Sequence, residues 1–128
     1  MKTLQDRVDD FFKWVKGTEL VELTDIDVSE DPVRPELDLK FRTSFGRKIF
    51  GLKYKDNIEG IICVAHTNEI PQTVRELDLL SQLAKDTGTI AVAYTVWSRK
   101  RGAGRQIIEK FLDFIKDQNQ ITQLVTLS

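Results

Sequence analysis

The residues with the most to say about chemistry are Arg99-Lys-Arg-Gly-Ala-Gly104, followed directly by Arg105. Before them stands Thr89-Ile-Ala-Val-Ala-Tyr-Thr-Val96, whose length and β-branching predict a buried strand. After them Ile107, Ile108, Phe111, Leu112 and Ile115 share one face, which predicts a helix from Gly104 to about Asp117. A loop running from a strand into a helix start presents backbone N–H groups with no intrahelical partner. The helix dipole adds partial positive charge at the same place. Gly102 and Gly104 allow close approach to the backbone, and Arg99, Lys100, Arg101 and Arg105 add fixed charge. The chemistry this favours is anion binding, with phosphate or pyrophosphate the natural guest. The plainer alternative is a turn and helix start with solvated arginines.

Two familiar phosphate fingerprints are excluded. There is no G-x-x-x-x-G-K-[ST], and G-x-G-x-x-G fails because position 107 is Ile. The segment instead resembles the acyl-CoA-binding motif [RQ]-x-x-G-x-[GA] of the GNAT superfamily of N-acyltransferases, matched by Arg99, Gly102 and Gly104. The hairpin containing Asn57-Ile-Glu-Gly60 is similar to the β2–β3 hairpin of that family. The resemblance covers residues 89–127 well and 47–65 fairly.

What the resemblance implies can be stated residue by residue. The amides of Arg99, Lys100, Arg101, Gly102, Ala103 and Gly104 would hold the pyrophosphate of acetyl-CoA, the implied cosubstrate, with Arg105 beside them. Tyr94, Thr95, Val96 and Trp97 would pair with the pantetheine amides. Strands 89–96 and 121–127 would splay to admit the cofactor, and an amine of unknown identity would receive the acetyl group. The family usually continues with a further helix and closing strands, where a tyrosine often protonates the thiolate. With Ser128 the last residue, the resemblance implies a short member, a site completed by a partner chain, or a GNAT-like module without catalysis. A helix at 73–84 is an insertion relative to the simplest family pattern.

N-acyl transfer needs a base, or water leading to one, to neutralise the attacking ammonium. His66 and Glu69 follow the second hairpin strand and are candidates. Tyr94 is a candidate acid for the thiolate if its hydroxyl faces the gap. Each also reads as an ordinary structural residue. Cys63 lies in an apolar run and reads as core. Trp14 and Trp97 read as packing residues. With one cysteine and one histidine, neither a disulfide framework nor a Cys- or His-rich metal site is available.

The remaining elements must position this segment. Leu4, Val8, Phe11, Phe12 and Val15 predict an amphipathic helix over 4–15, capped by Thr3 and closed by Gly17. Residues 19–23 predict a short strand. The acidic stretch Asp25 to Glu36, with Pro32 and Pro35, predicts a loop that could attract a cationic amine or simply be a solvated, mobile connection. Alternation over Leu37 to Phe41 predicts a half-buried strand. Lys48–Tyr54, a turn at Asp56-Asn57 and Ile58–Ala65 predict a hairpin. Thr73 and Glu76 form an S/T-x-x-E box before a helix over 73–84. Residues 121–127 predict a last strand, parallel to 89–96 because a helix joins them.

Together these predict one α/β (α+β) domain over residues 1–128: a mixed sheet with an antiparallel hairpin and a C-terminal parallel βαβ unit. At 128 residues one core suffices without staples. No apolar stretch, that near Ile58 to Asn68 included, is long enough for a membrane span, and the N-terminus lacks an apolar signal region, so a soluble, cytoplasmic protein is expected. Residues 1–40 carry 6 basic and 11 acidic side chains, the remainder 13 and 9, so an acidic first third precedes a mildly basic part. A nucleic-acid surface built from Arg47, Lys48, Lys53, Lys55 and Arg99-Lys-Arg101 ranks last, because interleaved surface aromatics are not evident. An open final strand would favour a homodimer that covers it.

Overall fold

The computed structural model describes residues 1–127. Helix α1 (Leu4–Gly17) starts at Thr3, whose hydroxyl accepts from the Asp6 amide while Asp6 caps in return. It leads into strand β1 (Thr18–Leu23). A one-turn 3-10 segment (Val28–Glu30) and the short helix α2 (Leu39–Thr43) precede the hairpin β2 (Lys48–Tyr54) and β3 (Asn57–Thr67). Helix α3 (Val74–Ala84) begins at Thr73, whose hydroxyl accepts from the Glu76 amide as the sequence box predicts. Strand β4 (Ile90–Ser98), helix α4 (Ala103–Lys116) and strand β5 (Gln123–Thr126) complete the chain.

The five strands form one sheet in the order β1-β2-β3-β4-β5. The first four are antiparallel to their neighbours, and β4 and β5 are parallel, as the predicted βαβ unit requires. Helices cover both faces. Trp14 of α1 and Ala103, Ile107, Phe111 and Ile115 of α4 pack on Phe50, Leu52, Ile62, Val64, Ala91 and Ala93. On the other face Leu37 and Leu77 pack on Ile49, Ile61, Cys63, Ala65, Val92, Tyr94 and Trp97. The central strands are therefore covered twice, which is why β3 and β4 read as continuous apolar runs.

Three local expectations are corrected. Residues 37–41 do not form a strand. Asp38 caps α2 by accepting from the Phe41 amide at 2.8 Å, and Leu37, Leu39 and Phe41 still reach the core from a single helical turn. The hairpin turn is Lys55-Asp56 rather than Asp56-Asn57. Lys55 takes the positive φ of 55° the tight turn needs, and Asn57 already pairs with Tyr54. The acidic loop is also more ordered in its bonding than a solvated connection. Asp31 is buried and bonds the amides of Val33 and Arg34, so it is not free to attract an amine.

Candidate functional site

The site is built where β4 ends. Strand β4 pairs with β5 only from Ile90↔Gln123 to Ala93↔Thr126. Opposite the Cys63/Val64 step of β3 the register shifts, so that Tyr94 is the extra residue between Ala93 and Thr95. A bulge of this kind bends a strand and ends pairing. Beyond it β4 continues to Ser98, paired to β3 and without a strand partner on the β5 side among the described residues.

The loop after β4 turns back over β3. The Arg99 amide donates to the Glu59 carbonyl at 2.8 Å, and the Ala103 amide to the Lys100 carbonyl at 3.0 Å. Gly102 caps α4 with a φ of 88° and provides no side-chain bond. Among the described residues the amides of Lys100, Arg101, Gly102, Gly104 and Arg105 donate to no protein acceptor. Those of Gly104 and Arg105 are orphan donors of the helix start, and those of Lys100, Arg101 and Gly102 belong to the loop that leads into it. A Cβ built at Gly102 would meet nothing within 4 Å, so that position opens onto free space. Gly60 serves the opposite need: a Cβ there would sit 3.1 Å from the Ala103 carbonyl oxygen, so its absence lets α4 start close against β3.

The fixed charge of the loop is largely compensated, which sequence alone does not reveal. Arg99 grips Glu30 through two nitrogens at 2.9 and 3.0 Å. Lys100 lies 3.9 Å from Glu59 and over the rings of Trp14 and Tyr54. Glu59 also accepts from Trp14 Nε1 at 2.5 Å. Arg105 pairs along its helix with Glu109. Arg101 forms no ion pair among the described residues and lines a shallow groove with Arg7, Asp10, Phe11 and Trp14. What the loop leaves unpaired is thus its backbone amides more than its arginines. The same pairing weakens the nucleic-acid reading, since Arg47, Lys48 and Lys53 also have carboxylate partners, in Asp78, Glu22 and Glu19.

Of the other candidates, the structure brings Thr95, Val96 and Tyr94 to this end but spends part of what they offer. The Tyr94 carbonyl already accepts from Arg34 Nε at 2.9 Å. The Thr95 hydroxyl donates to Asp31 at 2.8 Å. The Tyr94 ring packs edge-on to Phe41, on the face away from α4, and its hydroxyl is buried with no hydrogen-bond partner. Burial pushes its pKa up, which makes it a poor proton donor. Val96 packs on the α4 side.

His66 and Glu69 are not brought to this end. His66 pairs with Ala91, whereas Gly60, next to the loop, pairs with Ser98. Six residues of strand separate them, about 20 Å at the usual rise. Glu69 follows β3, in the turn where its carbonyl accepts from Thr67. Sequence reading missed Glu30, Glu59 and Arg34. Glu59 left one signal, as the lone charge inside an apolar strand; it stands at the register shift opposite Leu52 and Lys53. The partners of Glu30 and Arg34 lie 69 and 60 residues away, beyond any local pattern.

The molecule is therefore a mixed α+β protein in which a bulged strand, an uncapped glycine-containing loop and a helix create a set of unused amides. No protein-family model matches the chain, and no curated protein does. Among solved structures it is similar to the malonyl-CoA decarboxylase of Cupriavidus metallidurans, with a TM-score of 0.64 at 20% identity. The match covers 97% of this chain and 34% of that one, so the chain spans about a third of the length of that enzyme. At this identity the likeness shows the fold. No helix among the described residues is long and apolar enough to cross a membrane.

Proposed function

We propose that the protein binds a coenzyme A thioester at the end of β4. The observation that carries this reading is the group of unspent amides from Lys100 to Arg105, beside a strand whose edge is open beyond Ala93. The amides of Lys100, Arg101, Gly102, Gly104 and Arg105 take the pyrophosphate, and the backbone of Thr95 to Trp97 takes the pantetheine arm. Support comes from the motif Arg99-x-x-Gly102-x-Gly104 and from a solved structure of similar fold named for a CoA ester. Arg99 contributes by anchoring the loop to Glu30 rather than by touching the ligand.

Acetyl transfer from acetyl-CoA to an amine is the finer form of this proposal. Glu30 and Glu59, carboxylates beside the loop, are held by Arg99 and Lys100, so the ammonium proton leaves through water. The open β5 edge is the surface for a homodimer, and equilibrium sedimentation that finds only monomer removes that part.

Calorimetric titration with acetyl-CoA, malonyl-CoA and free CoA tests the core reading. Saturable binding of all three, lost in Gly104→Val, supports it. An absence of binding to folded protein removes it. Release of free thiol from acetyl-CoA only when amines are present supports the transfer step.

A further inference from the structure

At the far end of the sheet lies a cleft of about 160 Å³ that the CoA reading does not use. It sits between β1–β3, the C-terminal half of α4 and the turn after α3. Its wall is aromatic: Phe50, Phe111 and Phe114 meet pairwise, with ring centroids 5.3, 5.6 and 6.0 Å apart. Phe114 stays 41% exposed, so an aromatic surface remains open to a guest.

Polar groups close the other side. Glu22 and Lys48 line the cleft and pair with each other at 3.4 Å, so their charges cancel. Asp86 also lines it and forms no ion pair among the described residues. Gln120 holds the Asp86 and Gly88 carbonyls at 2.6 and 2.8 Å, which fixes the turn that carries Asp86. His66 completes the lining, and its Nδ1 is buried with no hydrogen-bond partner. The ionisable groups facing His66 are Glu22, Lys48 and Asp86; α4 contributes only apolar side chains to the lining, with Gln118 and Gln120 from the segment after it.

We propose that this cleft binds a small organic ammonium. The apolar body of the ligand lies on Phe114, which Phe50 and Phe111 back, and the cationic head meets Asp86 beside the His66 ring. Two features select a cation over an anion: aromatic faces carry negative potential, and the net charge of the lining is that of Asp86. The site is separated from the loop at 99–105 by the length of β3, so it stands or falls apart from CoA binding.

His66 is the single histidine, so its ring signals identify themselves in an NMR spectrum. The experiment titrates the whole chain with n-butylammonium chloride, and in parallel with sodium butyrate and butanol, at constant ionic strength. A saturable shift of the His66 ring with butylammonium, and a fall in its apparent pKa because a bound cation opposes protonation, are expected. Asp86→Asn should weaken binding by about fivefold, the scale of an exposed charge pair. Phe114→Ala should weaken it as well. Both positions are at the surface, and an unchanged circular dichroism spectrum verifies folding. A non-saturating response, an equal response to butyrate, or Asp86→Asn binding as tightly as the parent overturns the proposal.

Discussion

Arg42 and Asp31 form an ion pair at 2.8 Å in which neither side chain touches water. Arg42 also donates to the carbonyls of Leu37 and Arg34 and lies 3.5 Å from Cys63 Sγ. Asp31 accepts from two amides and from Thr95. This one network fastens the acidic loop and α2 to β3 and β4, and so supports the backbone that ends in the candidate site. Removing one partner leaves an unpaired buried charge. Asp31→Ala or Arg42→Met should therefore cost about 3–5 kcal/mol in urea unfolding. A loss well under 1 kcal/mol would show the pair to be incidental.

The same network sets an acid limit. Burial works to raise the Asp31 carboxyl, but the Arg34 and Val33 amides, Arg42 and Thr95 outweigh it and hold it below its usual value. A carboxyl depressed in the fold contributes stability that is complete above its unfolded pKa, about 3.9, and disappears as pH falls through the folded value. His66 acts in the same direction at higher pH. Burial keeps its pKa down, so the unfolded chain takes up a proton first once pH drops below about 6.5. Stability measured by thermal unfolding should fall gradually from there. His66→Gln should flatten that upper part of the profile, while leaving the decline at lower pH.

Gly104 separates binding from folding. A Cβ there meets only Ser98 at 3.9–4.0 Å, an ordinary contact, and the residue is helical. Gly104→Ala should raise stability by about 0.5–1 kcal/mol through helix propensity. Gly104→Val should fold too, yet lose affinity for CoA esters by at least tenfold, because its branches cover the amides. Calorimetry and melting temperature read the two effects separately.

Gly60 gives the opposite result. Its missing side chain lets the Ala103 carbonyl approach, so Gly60→Val should push α4 away and cost about 1–3 kcal/mol. Weakened CoA binding should accompany this, since the same helix start carries the amides. Full retention of both would break the link between β3 and the loop.

Cys63 should be inert. Burial pushes its thiol up to about 11. At pH 8 only about one thiol in a thousand is ionised. Iodoacetamide should leave the native protein unmodified over hours and label it rapidly in guanidinium. Rapid native labelling would show that the core opens at β3.

Much of the architecture was legible locally. The α4 stripe, the Thr3 and Thr73 caps and the apolar runs of β3 and β4 follow from periodicity and side-chain chemistry acting over a few residues, whereas the α1 stripe misled, since Leu4, Val8, Phe11 and Phe12 stay exposed and only Trp14 of that helix is buried. The strand–loop–helix around Gly102 and Gly104 was legible for the same reason. Leu37 to Phe41 misled, because a short alternating pattern fits one helical turn as well as a strand. The Asp38 cap and the buried Arg42 decide between them.

Tertiary structure alone decided the electrostatics of the site. Glu30 reaches Arg99 and Glu59 reaches Lys100 across the fold, so a loop rich in arginine leaves mainly its amides unpaired. It also decided distance: His66 and Glu69 follow the hairpin closely in sequence, but a strand of eleven residues carries them to the other end of the sheet. Residue types along the chain determined which chemistry was available. Strand rise and register, which no local pattern encodes, determined which groups could act together.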